Sequence, residues 1–136
     1  MNLLQELKWR DLIFDVTDPN LEDVFEQEKL TFYVGADPTA DSLHVGHLIS
    51  YLVSKRLQDR GHHPILVIGG GTGLIGDPSG RNSERQLLTL EKSMENAAAI
   101  TKQVKNILPD ATVVNNYDWI STYDVISFLR DIGKNF

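Results

Sequence analysis

Two histidines, His44 and His47, stand three apart around Gly46 in the stretch "TADSLHVGHLI", residues 39–49. Ser42 has the chemistry of a helix N-cap, so His44 is expected in the first turn of a helix and His47 three residues on, on the same side of it. The orphan N–H groups and positive dipole end of such a turn suit a phosphate. Two positioned donors there match the stabilisation of negative charge as it develops on a phosphate, chemistry that needs no nucleophile from the protein. Gly46 inside the first turn costs about 1 kcal/mol against alanine, and a flat group packed on bare backbone would explain that cost.

Other residues could serve the same anion. Gly35 closes the apolar run "LTFYVGA", where a ligand could approach the backbone. Asp77 reads either as ordinary Asp-Pro turn chemistry or as an acceptor for an ammonium group. Arg81 and Arg85, four apart, read either as an exposed basic pair or, beside a triphosphate, as clamps. His62-His63 reads as a solvated turn. Zinc can use a pair of histidines at this spacing, but it needs a third and usually a fourth ligand; without cysteine, Asp37 or Asp41 would have to supply them. No metal site is expected. "GTGLIG", residues 71–76, matches G-x-G-x-x-G, yet Asp77-Pro78 arrives where a dinucleotide-binding helix should be running. A P-loop fails too, because no Lys-Ser or Lys-Thr follows Gly76.

The elements that must position these residues follow from hydrophobic periodicity. "NLLQELKWR" has a helical stripe at Leu3, Leu4, Leu7 and Trp9, and Asn20 can cap a second short helix with Leu21, Val24 and Phe25 on its apolar side. Leu30 to Ala36 is β-branched and aromatic, a first strand. Leu43 through Arg60 repeats Leu48, Ile49, Leu52, Val53 and Leu57 at helical spacing before Gly61. "HPILVIGG" reads as a strand buried on both faces of a parallel sheet, and "GGGTGLIGDPSG" as a loop. Ser83 to Leu108 is helix-prone up to Pro109, "ATVVNN" is a third strand, and Thr122 to Asp131 a last helix before Gly133. The order β-α-β-α-β-α, preceded by two short helices, predicts an α/β fold with a parallel sheet and ligands outside the carboxyl ends of its strands. Three segments fall on that edge: "YVGADPTADSLHVGH", "GGGTGLIGDPSGRNSER" and "NNYDW".

Composition narrows the setting. The chain has 136 residues, 41% hydrophobic and 24% charged, enough for one globular domain with a real core. The absence of cysteine excludes disulfides and thiolate metal sites, no secretory signal or membrane span is legible, and a cytoplasmic, reducing setting is expected. A net charge of −6 argues against a surface that holds nucleic acid by phosphate neutralisation alone, so the main binding face for any RNA partner should lie elsewhere.

"HVGH" resembles the His-x-Gly-His signature of class I aminoacyl-tRNA synthetases and related nucleotidylyltransferases. The longer "YVGADPTADSLHVGHL", followed by "GGGTGLIGDPSGRNSER" and "NNYDWI", resembles bacterial tyrosyl-tRNA synthetases in order and spacing, and "LLQELKWRDLI" resembles that family's opening helix. The resemblance covers essentially the whole chain. It implies the first half of a Rossmann-like nucleotide-binding sheet and ATP-dependent activation of tyrosine to tyrosyl-adenylate, followed by transfer to tRNA(Tyr). ATP is then a substrate carrying Mg2+, and the parent protein a homodimer.

By the same resemblance, Tyr33 contacts the substrate phenol hydroxyl, Asp77 receives the tyrosine ammonium, and Thr72 lines the amino-acid pocket. Gly35 and Asp37 lie along the adenylate, Thr39 and His44 hold the leaving pyrophosphate, Gly46 lies against adenine, and His47 and Ser50 sit near the ribose. Arg81 and Arg85 fall where the family has mobile basic residues that grip pyrophosphate. Val34 stands where the family frequently has cysteine, and Arg81 where lysine is frequent, which keeps the charge but changes its geometry. The rest of the catalytic fold and the tRNA-binding regions would lie beyond Phe136, making residues 1–136 a single N-terminal portion of the catalytic domain that is expected to be inactive alone. The other expectations compatible with the sequence are a non-catalytic folding or binding fragment and a small His-x-Gly-His nucleotidylyltransferase.

Overall fold

The computed structural model describes residues 2–75 and 88–136. Helices α1 (Leu3–Trp9) and α2 (Leu21–Gln27) lead into β1 (Thr31–Ala36), α3 (Val45–Asp59), β2 (His63–Ile68), α4 (Thr72–Ile75), α5 (Leu90–Lys105), β3 (Thr112–Asn115), α6 (Tyr117–Ile120) and α7 (Val125–Asp131), and a 3₁₀ turn, Gly133–Asn135, ends the chain. The strands form one parallel sheet in the order β1-β2-β3. This is the α/β half-sheet expected from the sequence. Among the described residues no helix is long and apolar enough to cross a membrane.

The core lies on one face of the sheet. Leu66 and Ile68 of β2 pack with Tyr51 of α3 and with Ala97, Ile100 and Val104 of α5. A second cluster joins Leu3 and Leu7 of α1 to Leu57 of α3, with Phe32 of β1 packed against it. Strand residues of the other parity, Ile65 and Val67, are only half-buried, and Tyr33 beside them is 77% exposed. The expectation that β2 is buried on both faces therefore fails: both crossover helices cover the same face.

Several local expectations also give way. His44, not Ser42, is the N-cap of α3, and the buried stripe of that helix runs through Tyr51, Ser54 and Leu57 while Leu48, Ile49 and Leu52 are exposed. Helical phase, not residue type, sets the seam, and Ser54 tolerates burial because its hydroxyl donates to the Ser50 carbonyl at 2.9 Å. Asn20 makes no side-chain cap; its own N–H donates to Asp18 Oδ1. Trp9 is exposed although it continues the α1 stripe. The last helix starts at Val125, where Asp124 accepts from the Ile126 and Ser127 N–H groups, rather than at Thr122. The short helices α4 and α6 occupy stretches read as loops. Residues 83–87 of the long helix-prone stretch lie outside the described residues, and α5 begins at Leu90 with Thr89 as its cap.

The first helix is held by charge as well as by leucine. Glu6 pairs with Arg10 at 2.9 Å and with Arg56 and Arg60 of the α3 end at 3.4 Å. The Arg10 hydrogen bond, ahead of the other guanidinium groups, lowers its carboxyl below the ordinary range.

His62 is not a solvated turn residue. It is 3% exposed, its Nδ1 accepts from the Leu30 N–H at 3.2 Å, and the Phe25 ring meets it edge-on at 5.1 Å. Its Nε2 is buried with no partner among the described residues. Burial, with Lys29 adding to it and Glu26 opposing, lowers its pKa below the ordinary 6.5. The folded state thus binds this proton less readily than the unfolded chain. Its contribution to stability is complete above pH 6.5 and declines as pH falls below that value toward the depressed folded pKa. His62→Gln keeps an acceptor for Leu30 but does not titrate. Urea unfolding at about pH 7.5 and about pH 5.5 should show a larger loss on acidification in the wild-type chain than in this variant. Equal losses would assign the acid sensitivity to other groups.

Candidate functional site

Strand register brings the site together. Ala36 lies opposite Ile68 and Ile68 opposite Asn115, so the next residues, Asp37, Gly69 and Asn116, leave the sheet at one level. The ladder extends across this edge: the Gly69 N–H donates to the Ala36 carbonyl and the Asn116 N–H to the Ile68 carbonyl, both at 2.9 Å. A cleft of about 250 Å³ opens there, lined among others by Gly35, Asp37, Val67, Thr72 and Asn116.

One polar chain crosses the cleft floor. Asn116 Nδ2 donates to Thr72 Oγ1 at 3.0 Å, and Thr72 Oγ1 donates to Asp37 Oδ1 at 2.7 Å. Asn116 Oδ1 accepts from the Gly71 N–H at 2.8 Å, and at 8% exposure its amide is fixed at both ends. Gly69 makes this possible, since a Cβ there would collide with the Asp37 carboxylate and with Thr72 Oγ1. The arrangement aligns one carboxylate and one hydroxyl through a single buried amide.

The histidines stand at the mouth of α3 and do not line this cleft; His44 borders a separate pocket with Leu48, Tyr51 and Gln103, in an arrangement different from the one the sequence suggests. His44 is the cap itself: its Nδ1 accepts from the Gly46 N–H at 3.1 Å, and His47 Nδ1 accepts from the His44 N–H at 3.4 Å, a capping box made by two imidazoles. The Gly46 amide is therefore occupied by a side chain, and the helix end offers fewer open N–H groups than expected. A ring whose Nδ1 accepts can carry a proton only on Nε2, which leaves that nitrogen as the donor of each imidazole. The ring centroids are 4.0 Å apart, so these donors come as a pair. Gly46 has a reason within the chain: a Cβ would lie 2.9 Å from His44 Cε1.

Of the remaining sequence candidates, Gly35 faces the cleft and Thr39 is exposed, its N–H donating to the Asp37 carbonyl at 2.9 Å. Ser50 sits one turn beyond Gly46 on α3. Tyr33 lies within β1 rather than at its end, on the open face of the sheet that also carries Gly35. Asp77, Arg81 and Arg85 lie outside the described residues. Asn116 is a site residue that motif and spacing do not single out, although "NNYDW" falls at this edge; an amide directly after a strand end is the available signal.

Comparisons with known proteins place this geometry in a family. The model for tRNA synthetases class I (W and Y) matches residues 26–136. The chain is 50% identical over its full length to a tyrosine–tRNA ligase of Limosilactobacillus reuteri (strain DSM 20016), covering 33% of that protein. It is also 50% identical to tyrosine–tRNA ligase 2 of Bacillus cereus (strain ATCC 10987 / NRS 248), covering 34% of it. It spans about a third of the length of these curated relatives. Among solved structures, a C-terminally truncated mitochondrial tyrosyl-tRNA synthetase of Aspergillus nidulans superposes with a TM-score of 0.80 at 27% identity, over 99% of this chain and 43% of that one. With a matching family model over most of its length and the fold and strand-end site to go with it, the chain belongs to the class I tRNA synthetases of the tryptophan and tyrosine group.

Proposed function

We propose that these residues supply the nucleotide-facing part of a tyrosine–tRNA ligase, which activates tyrosine with ATP to tyrosyl-adenylate and passes the tyrosyl group to tRNA(Tyr). The observation that carries this reading is 50% identity to tyrosine–tRNA ligases across the whole chain. The strand-end cleft and the paired imidazole donors support it.

In the proposed reaction the carboxylate of tyrosine attacks the α-phosphorus of ATP, which arrives with Mg2+ bound to it, and pyrophosphate leaves. No side chain needs to be a nucleophile. What the protein contributes is position and charge complementarity. His44, Thr39, Arg81 and Arg85 act on the departing pyrophosphate, with the His44 Nε2–H as the donor that the Gly46 bond leaves available. His47 and Ser50 border the ribose, Gly46 and Gly35 leave room for the nucleotide, and Asp37 lies along the adenylate. Thr72 and Asp77 face the amino acid, Asp77 taking its ammonium group, and Tyr33 meets its phenol hydroxyl. Residues 1–136 form one N-terminal portion of the catalytic domain, the opposite cleft wall and the tRNA-binding regions belong to sequence outside them, and the working protein is a cytoplasmic homodimer.

Tyrosine-dependent exchange of labelled pyrophosphate into ATP tests the reading. The complete protein carrying this chain should support exchange, and residues 1–136 alone should not, because half a cleft leaves ATP in water, where aligned donors lose most of their advantage. Exchange that requires another amino acid, or none, would overturn it. In the complete protein His44→Ala should lower the rate of adenylate formation by about 10² to 10³, the ~3 to 4 kcal/mol of a transition-state donor, with ATP affinity nearly unchanged. Single-turnover kinetics separates the two; weakened ATP binding with an unchanged chemical step would remove this role. Tyr33→Phe should narrow the preference for tyrosine over phenylalanine without abolishing activity, since a buried unpaired hydroxyl penalises the analogue. An unchanged ratio of kcat/KM values for the two amino acids would make Tyr33 a packing residue.

A further inference from the structure

Helix α5 contributes no residue to the cleft or to the histidine pair, yet three of its polar side chains grip the backbone of the segments that do. Asn96 Nδ2 donates to the Pro38 carbonyl at 3.0 Å, and Ser93 Oγ donates to the Gly70 carbonyl at 3.3 Å. Gln103 Oε1 accepts from the Leu43 N–H at 2.8 Å, and its Nε2 donates back to the Leu43 carbonyl at 3.5 Å. At the α-helical period, positions 93, 96 and 103 fall within about 80° of one another on the helix surface. Asn96 and Gln103, about 20° apart, form a polar edge beside the apolar stripe of Ala97, Ile100 and Val104 that seats α5 on the sheet, and buried Ser93 lies within that stripe.

Each gripped residue neighbours a proposed site residue. Pro38 stands between Asp37 and Thr39, Leu43 precedes His44, and Gly70 lies two before Thr72. The loop concerned has little scaffold of its own: between Asp37 and Leu43 the only backbone–backbone hydrogen bond among the described residues is Thr39 N–H to the Asp37 carbonyl. The polar edge also carries a cost. Asn96 is 1% exposed and its Oδ1 is buried without a partner among the described residues, while its Nδ2 is the one donor those residues offer to the carbonyl of buried Pro38.

We infer that Asn96 and Gln103 are positioning residues: by clamping Pro38 and Leu43 to α5 they hold Thr39 and His44 where transition-state charge develops. The inference rests on the proposed function for its chemical consequence and on the hydrogen bonds alone for its structural one. Neither residue lines the strand-end cleft.

The test uses the complete protein carrying this chain, with Gln103→Leu, Gln103→Glu and Asn96→Leu. Gln103→Leu should slow adenylate formation about 10-fold or more, the scale on which small misplacements act, with KM for ATP and tyrosine little changed. Gln103→Glu keeps the acceptor for Leu43 and should recover most of the loss. Asn96→Leu, which leaves the Pro38 carbonyl without its donor, should slow the same step under conditions where urea unfolding shows both proteins fully folded. In a double-mutant cycle with His44→Ala, Gln103→Leu should cost little further rate, because its effect passes through the imidazole. Fully additive losses, or rates that merely follow the folded fraction, would overturn the inference. Where Asn96→Leu does not fold, the exposed Gln103 pair decides it. Hydrogen exchange of the 38–47 backbone is read in parallel: faster exchange in Gln103→Leu, restored in Gln103→Glu, supports the clamp even if the wild-type protein shows no tyrosine-dependent exchange and the functional reading falls. Unchanged exchange overturns the clamp.

Discussion

Everything at the site depends on the parallel register of three strands. Because Ala36, Ile68 and Asn115 stand level across the sheet, the chain emerges three times at one height, and residues more than thirty positions apart become hydrogen-bond partners. A slip of one residue in β2 would turn Leu66 and Ile68 to the open face and separate Thr72 from Asp37. The alternation of buried Leu66 and Ile68 with half-buried Ile65 and Val67 guards against that slip. Hydrophobic burial thus sets the alignment of a polar chain that has no hydrophobic content of its own.

The polar contacts then divide into two kinds. The Asn116–Thr72–Asp37 chain spans strand ends and fixes groups against one another. The His44–Gly46 and His47–His44 bonds are local and fix each imidazole against its own helix. An imidazole that caps its own helix is oriented by the same bond that starts the helix, so ring direction and helix register cannot drift apart. Helix α5 connects the two groups through Pro38, Leu43 and Gly70.

Much of this was legible in the residues. The β-α-β-α-β order and the meeting of three loops at one edge of the sheet follow from periodicity, turn residues and spacing, and the family resemblance rests on the same stretches. What escaped was decided by tertiary phase. Ser42 and His44 are both plausible caps locally, and the choice depends on where α3 meets the sheet. Leu48, Ile49 and Leu52 look like core by type, but the seam passes through Tyr51, Ser54 and Leu57. His62 beside His63 looks like a polar turn, and only the packing of Phe25 and the Leu30 amide shows that one of the two is buried. Asn96 and Gln103 carry no sequence signal, since an amide on a helix is ordinarily a solvated one.

The face of the sheet opposite α3 and α5 has a thermodynamic consequence. Parallel strands are ordinarily layered on both sides, and among the described residues this side displays Tyr33 beside half-buried Ile65 and Val67. A layer packed over that side would remove apolar surface from water, so its docking and the folding of the sheet would be linked equilibria: anything that binds only the folded face stabilises the fold in proportion to the logarithm of its concentration over its dissociation constant.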